Sequence, residues 1–172
     1  PGGEYETLGQ PFAMLLGTAK RLAGADWFTA KVSACGILPA IYAFWNVHGV
    51  ELEGADEARR ELRTLFKDLS EDDTPMVRRS AARHLGRFVE AVAGMTETAK
   101  EVADAGKSVT IEAENKNLVT FELVPIFQAL CGDEQDSVRL LSVSCAGSVG
   151  CGLERNPAMT AEVVLPVMKG GC

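Results

Sequence analysis

One layout recurs along this chain and limits what it can fold into. An apolar stripe with helical spacing ends in an acidic turn, and a second stripe then begins with a basic residue in its first turns. The clearest copy is ELRTLFKDLSEDDTPMVRRSAARHLGRFVEAV. Leu62, Leu65, Phe66 and Leu69 fall at i, i+3, i+4 and i+7, which is one face of a helix. Asp72, Asp73 and Thr74 supply turn and N-cap chemistry. Pro75 suits a first helical position, where a missing N–H costs nothing. Val77, Ala81, Leu85, Phe88 and Val92 make the second stripe. A downstream copy has Leu123, Ile126, Phe127 and Leu130, a turn from Asp133 to Asp136, then Val138, Leu141, Cys145 and Val149. The two copies align as D-x-x-x-x-V-R, Asp72 with Asp133 and Arg78 with Arg139. A weaker copy comes first. Phe12, Leu15, Leu16, Ala19 and Leu22 precede a turn at Asp26, and Lys31 takes the arginine's place.

Repetition at this scale predicts an all-α superhelix of three to four antiparallel helix pairs, a HEAT-type solenoid. Lys31 and Arg78 are 47 residues apart, and Arg78 and Arg139 are 61 apart. A HEAT unit runs about 40–47 residues, so the longer spacing implies an insertion. The reading is one array: repeat one at 7–43, repeat two at 55–93, an inserted loop at 94–117, repeat three at 118–150, and a further repeat starting at 159–172. A smaller insertion is expected at Phe44 to Glu53. Pro125 and Pro166 fall inside apolar first helices and are expected to kink them, while Pro39 is expected to bend or end its helix.

Composition agrees with helices. Hydrophobic residues make up 47% of the 172 residues and aromatics only 6%, so the apolar content is mostly Ala, Leu and Val. The net charge of -7 disfavours binding to phosphate backbones, so no nucleic-acid partner is expected. No apolar run is read as long enough to span a bilayer, so no membrane partner is expected either. Five cysteines without a CxxC pair are read as reduced thiols of a cytosolic or nuclear protein. The first residues lack an initiator Met and the last follow an apolar helical pattern, which reads as a piece of a longer protein.

Three segments carry a family resemblance: GADWFTAKVSACG (24–36), DDTPMVRRSAARHLGRF (72–88) and DEQDSVRLLSV (133–143). They closely resemble the scaffold, or A-type, component of type 2A protein phosphatase, from roughly Phe12 to Met168 apart from the two insertions. The resemblance implies a horseshoe of stacked helix pairs, with this segment at repeats four to six and the start of the seventh. It implies a non-catalytic role with no cofactor. Regulatory (B-type) subunits would dock on this segment, and the catalytic subunit would be held by C-terminal repeats that it lacks. Two departures from the family stand out, the insertion at Gly94 to Asn117 and Gly17 where a proline is often found. A HEAT array of another class, such as a nuclear transport receptor or a tubulin-binding array, is the competing reading.

Docking is expected at the intra-repeat turns, which line up along one ridge of such a stack. The resemblance assigns partner contact to Trp27 and Phe28 in the first turn. In the second it assigns Asp73, Thr74, Pro75, Met76 and Arg79, and in the third Glu134, Gln135, Asp136 and Ser137. An exposed aromatic or Met among charges is a hot-spot pattern, whereas burial of Phe28 and Met76 between repeats is the plainer alternative. Asp72, Arg78, Asp133 and Arg139 are expected instead to form a structural ladder. Each Asp would cap its second helix and receive the basic side chain of the neighbouring repeat. Direct partner binding by Arg78 or Arg139 is the other option. Arg79 lies about 100° around the helix from Arg78, so it is assigned to the ridge.

Enzyme chemistry finds no foothold. His48, in an expected loop, and His84, in mid-helix, lack a second ligand at metal spacing. Cys131 and Cys145 sit in apolar stripes without a nearby base. Gly106-Lys107-Ser108 resembles the end of a phosphate loop, but Glu101 stands where its first glycine belongs. Gly147, Gly150 and Gly152 follow a helix and miss the dinucleotide pattern. Asp72 and Asp73 are more simply turn formers than an acid and base pair.

Overall fold

The computed structural model of the chain describes residues 9–49, 52–96, 117–153, 161 and 163–164. Those residues form helices and turns, with no strand among them. The helices are α1 (Gln10–Ala23), α2 (Phe28–His48), α3 (Ala55–Ser70), α4 (Pro75–Val92), a π turn (Val119–Leu123) running into α5 (Val124–Cys131), α6 (Asp136–Ser144) and α7 (Ala146–Gly152). They pair as three hairpins: α1 with α2, α3 with α4, and the π turn and α5 with α6 and α7.

The stripes read from the sequence are the packing faces. Leu62, Phe66 and Leu69 of α3 are buried, and so are Val77, Ala81, Leu85, Phe88 and Val92 of α4. Successive hairpins stack in register. First helices form one layer, α1 against α3 and α3 against α5. Second helices form the other, α2 against α4 and α4 against α6 and α7. Phe66 and Phe88 stack face to face between α3 and α4, their ring centres 4.1 Å apart, and Tyr42 of α2 meets Phe88 edge-on. One aromatic cluster thus joins the first two hairpins. At Gly86, α4 comes so close to α7 that an added Cβ would lie 3.1 Å from the Ser148 hydroxyl. Val163 and Val164 are helical and join the same core. The rest of 159–172, with Pro166, lies outside the described residues.

Several local expectations need correction. α2 does not end at Pro39. It runs on to His48, so Phe44 to His48 is helix and His48 is not in a loop. A mid-helix proline costs about 3 kcal/mol, but burial of Leu38, Ile41, Tyr42 and Trp45 around it outweighs that. By length and composition α2 is also apolar enough to cross a bilayer, which corrects the expectation that no such run exists. In the fold α2 packs against α1, α3 and α4, and Leu38, Ile41, Tyr42 and Trp45 are buried there. Asn117, read as the end of the inserted loop, is already helical. The remainder of that loop, 97–116, lies outside the described residues.

Pro125 acts on its helix in a specific way. Without an N–H it cannot bond the carbonyl one turn back. The preceding turn widens instead, with the Val124 amide donating to the Val119 carbonyl, five residues back. The second helix of this hairpin breaks at Cys145. The thiol donates to the Ala82 carbonyl of α4 at 3.1 Å, and α7 resumes at Ala146.

Candidate docking ridge

Each second helix starts from a short turn, and the turns adjoin because ion pairs hold them together. The Lys31 ammonium, in the first turns of α2, donates to Asp72 at 2.6 Å, just before α4. Arg78, in the first turn of α4, donates through Nε to Asp133 at 2.7 Å, just before α6. Its Nη1 bonds the Asp72 and Asp73 carbonyls at 3.0 and 3.2 Å, and its Nη2 reaches Glu134 at 3.1 Å. One guanidinium therefore closes its own turn and grips the next. Arg139 closes its own turn in the same way, donating to the Asp133 carbonyl at 2.6 Å and pairing with Asp136. Ala25 stands at the place in the first turn that Asp72 and Asp133 hold in the others, so that turn has no matching carboxylate.

The aspartates do not cap the helices as expected. The N-cap residues are Thr74 and Gln135, and neither makes a side-chain cap bond. Asp72 and Asp133 lie two residues upstream, where Oδ1 accepts the amide of Thr74 or of Gln135, each at 2.9 Å. This is an Asx turn, which shapes the approach to the helix and leaves Oδ2 for the neighbouring cation. Burial pushes both carboxyls up, but the bonds from Lys31 and Thr74 to Asp72, and from Arg78 and Gln135 to Asp133, hold them below the ordinary 3.8.

The ladder leaves the remaining turn residues facing solvent. Trp27 is 77% exposed, Phe28 41% and Met76 51%. Burial of Phe28 and Met76 between repeats is thus ruled out within these hairpins. Asp73, Pro75, Arg79, Glu134, Gln135, Asp136 and Ser137 are exposed, and Thr74 is half-buried. Pro75 and Ser137 fall on the same flank, since Arg78 bridges their two turns. What results is an edge of apolar and charged groups at spacings fixed by the ion pairs behind them.

Two further features carried little signal in the sequence. Arg63 of α3 is nearly buried. It donates to the Tyr42 hydroxyl at 3.0 Å and to Glu122 at 2.7 Å, so it touches all three hairpins. Its position beside Leu62 inside an apolar stripe was the available hint. The second is a row of exposed arginines along α4, at positions 79, 83 and 87. Cys35 and Cys145 are buried, which pushes the Cys35 thiol up to about 11 and raises Cys145 as well. The described residues hold no cluster of metal-ligating side chains.

Antiparallel helix pairs stacked in two layers, with their internal turns tied along one edge, define a HEAT-type helical-repeat array. No protein-family model matches the chain. Curated proteins do. A probable serine/threonine-protein phosphatase PP2A regulatory subunit of Caenorhabditis elegans is 34% identical over 136 residues, 79% of this chain and 18% of the relative. The A-type PP2A regulatory subunit of Saccharomyces cerevisiae is 30% identical over 144 residues, 81% of this chain and 18% of the relative. The alpha isoform of the 65 kDa PP2A regulatory subunit of Arabidopsis thaliana is 45% identical over 73 residues, 42% of this chain and 11% of the relative. The chain belongs to the family of A-type (65 kDa) PP2A regulatory subunits, and it is a non-catalytic segment of that family. It spans less than a fifth of the length of these relatives.

Proposed function

We propose that this segment is part of the scaffold of a type 2A serine/threonine phosphatase and docks regulatory subunits along its ridge of turns. The observation that carries the reading is the exposure of Trp27, Phe28 and Met76 on turns joined by Lys31–Asp72 and Arg78–Asp133. Large apolar side chains are kept in water at fixed spacing, beside Arg79 and the acids of the third turn. That pairing of anchors with charges is what a protein interface uses. The mechanism is geometric. A curved stack holds several anchor clusters at set distances, and a bound subunit would thereby be positioned relative to a phosphatase catalytic subunit held elsewhere on the parent protein. Family membership supports the partner class.

The test uses the parent protein. Pro75→Arg or Arg79→Trp is expected to reduce the regulatory subunit recovered with it while far-UV circular dichroism stays unchanged. Full recovery of the subunit by either variant, or a loss that tracks loss of helicity, overturns the reading.

A further inference from the structure

Three arginines of α4, Arg79, Arg83 and Arg87, stand four residues apart on its exposed face. At 1.5 Å of rise per residue the row is about 12 Å long and drifts slowly around the helix. Among the described residues none of the three makes a hydrogen bond or an ion pair. Arg59, Arg60, Arg63, Arg78 and Arg139 each pair with a carboxylate. Among the described residues, three neighbouring guanidinium groups thus stay unpaired on one helix face of a chain whose net charge is -7.

Among the described residues the row faces solvent. Gly36 and Ala40 of α2, both small, line the same cavity as Arg87, and a Cβ added at Gly36 would first meet the His84 ring, at 3.7 Å. Glu90, close after Arg87, is engaged by the Ser148 hydroxyl at 2.7 Å. Where the row ends, a cavity of about 520 Å³ opens between α2 and the end of α4. Pro39, Ala43, Phe44 and Met95 form its apolar wall, with Arg87 and Glu90 at its polar side.

We propose that this face of α4 is a second docking surface, for an acidic peptide segment of a partner protein. Its carboxylates meet Arg79, Arg83 and Arg87, and an apolar side chain following them seats against Phe44 and Met95. Charge complementarity selects the occupant. Arg pairs with carboxylates through two parallel N–H bonds, and an acidic helix with Glu at four-residue spacing repeats the same rise. A nucleic acid is disfavoured because three cations on an acidic chain make a poor footprint for a phosphate backbone. The surface shares Arg79 with the ridge, but Arg83 and Arg87 lie in the third and fourth turns of α4, beyond the ridge residues, and the test rests on those two.

The probe is a fluorescent peptide with three glutamates at four-residue spacing and a leucine one turn on, titrated against the full chain by anisotropy. Saturable binding that weakens with added salt is expected. Arg83→Glu combined with Arg87→Glu should reduce affinity at least about tenfold, and Ala40→Leu, at the cavity mouth, severalfold. Both variants should keep the parent circular dichroism, because the substituted residues are exposed. Absence of binding at ~1 mM peptide, equal affinity in the double variant, or displacement by single-stranded DNA at equal charge concentration each overturns the proposal. Its failure leaves the ridge reading standing, because Pro75→Arg reports on a different surface.

Discussion

Arg78 and Asp133 are separated by 55 residues of chain, yet their side chains meet at 2.7 Å across the junction between the second and third hairpins. The contact is almost shielded from water, with side-chain exposures of 12% and 8%. Arg78 also holds the carbonyls of the turn behind it, so its removal should cost more than an ordinary surface pair. Arg78→Ala is expected to destabilise the chain by about 2 kcal/mol, between the values for exposed and fully buried pairs. Urea unfolding measures the loss. Hydrogen exchange should show faster opening in α6 and α7 than in α2, as expected where neighbouring repeats are uncoupled.

Acid should undo the same ladder. The carboxyls of Asp72 and Asp133 are held below 3.8 in the fold. A carboxylate with a depressed folded pKa binds fewer protons folded than unfolded. Its contribution is therefore complete above the unfolded value and is lost as pH falls through the folded one. Stability measured by urea titration should fall as pH drops below about 4. Asp72→Asn with Asp133→Asn should be less stable at neutral pH and should show a flatter decline. An equally steep decline in the double variant would show that other carboxylates govern it.

The aromatic cluster sets a larger energy. Phe66 is fully buried and stacks on Phe88. Phe66→Ala should cost about 3–5 kcal/mol, the range for deleting a core aromatic. Phe66→Leu keeps most of the volume and should cost clearly less. The same urea titration measures both.

Thiol reactivity should follow burial. Cys151 is exposed, whereas Cys35 and Cys145 are buried with raised pKa values. At mildly alkaline pH an alkylating reagent should modify Cys151 quickly and leave Cys35 and Cys145 untouched until denaturant is added. Peptide mapping by mass spectrometry reads the order. The thiolate is the reactive form, so a buried thiol pushed up to about 11, as at Cys35, stays inert.

Local periodicity made much of this fold legible. Stripes such as Val77, Ala81, Leu85 and Phe88 repeat at the helical period, and their burial follows from that alone. The turn residues were equally readable, because Asp, Thr and Pro at 72–75 have strong positional preferences. Continuity of α2 was not readable. Its residues from Leu38 to Trp45 are apolar on nearly all sides, so no face stands out, and Pro39 carries a false stop signal. Gly49, not Phe44, ends the helix. The π turn before Pro125 and the break at Cys145 depend on where carbonyls of α5's own helix or of α4 lie, which no sequence window contains. Arg63 was missed for the same reason, since Tyr42 and Glu122 reach it only after the hairpins have stacked.

That buried guanidinium gives the array a shared rivet. A solenoid is commonly a chain of pairwise joints, each free to flex with little regard for the next. Here the middle hairpin clasps Tyr42 on one side and Glu122 on the other with a single planar group. Tilting either neighbour tugs on the fork that serves both joints, so flexure at one should be felt at the other.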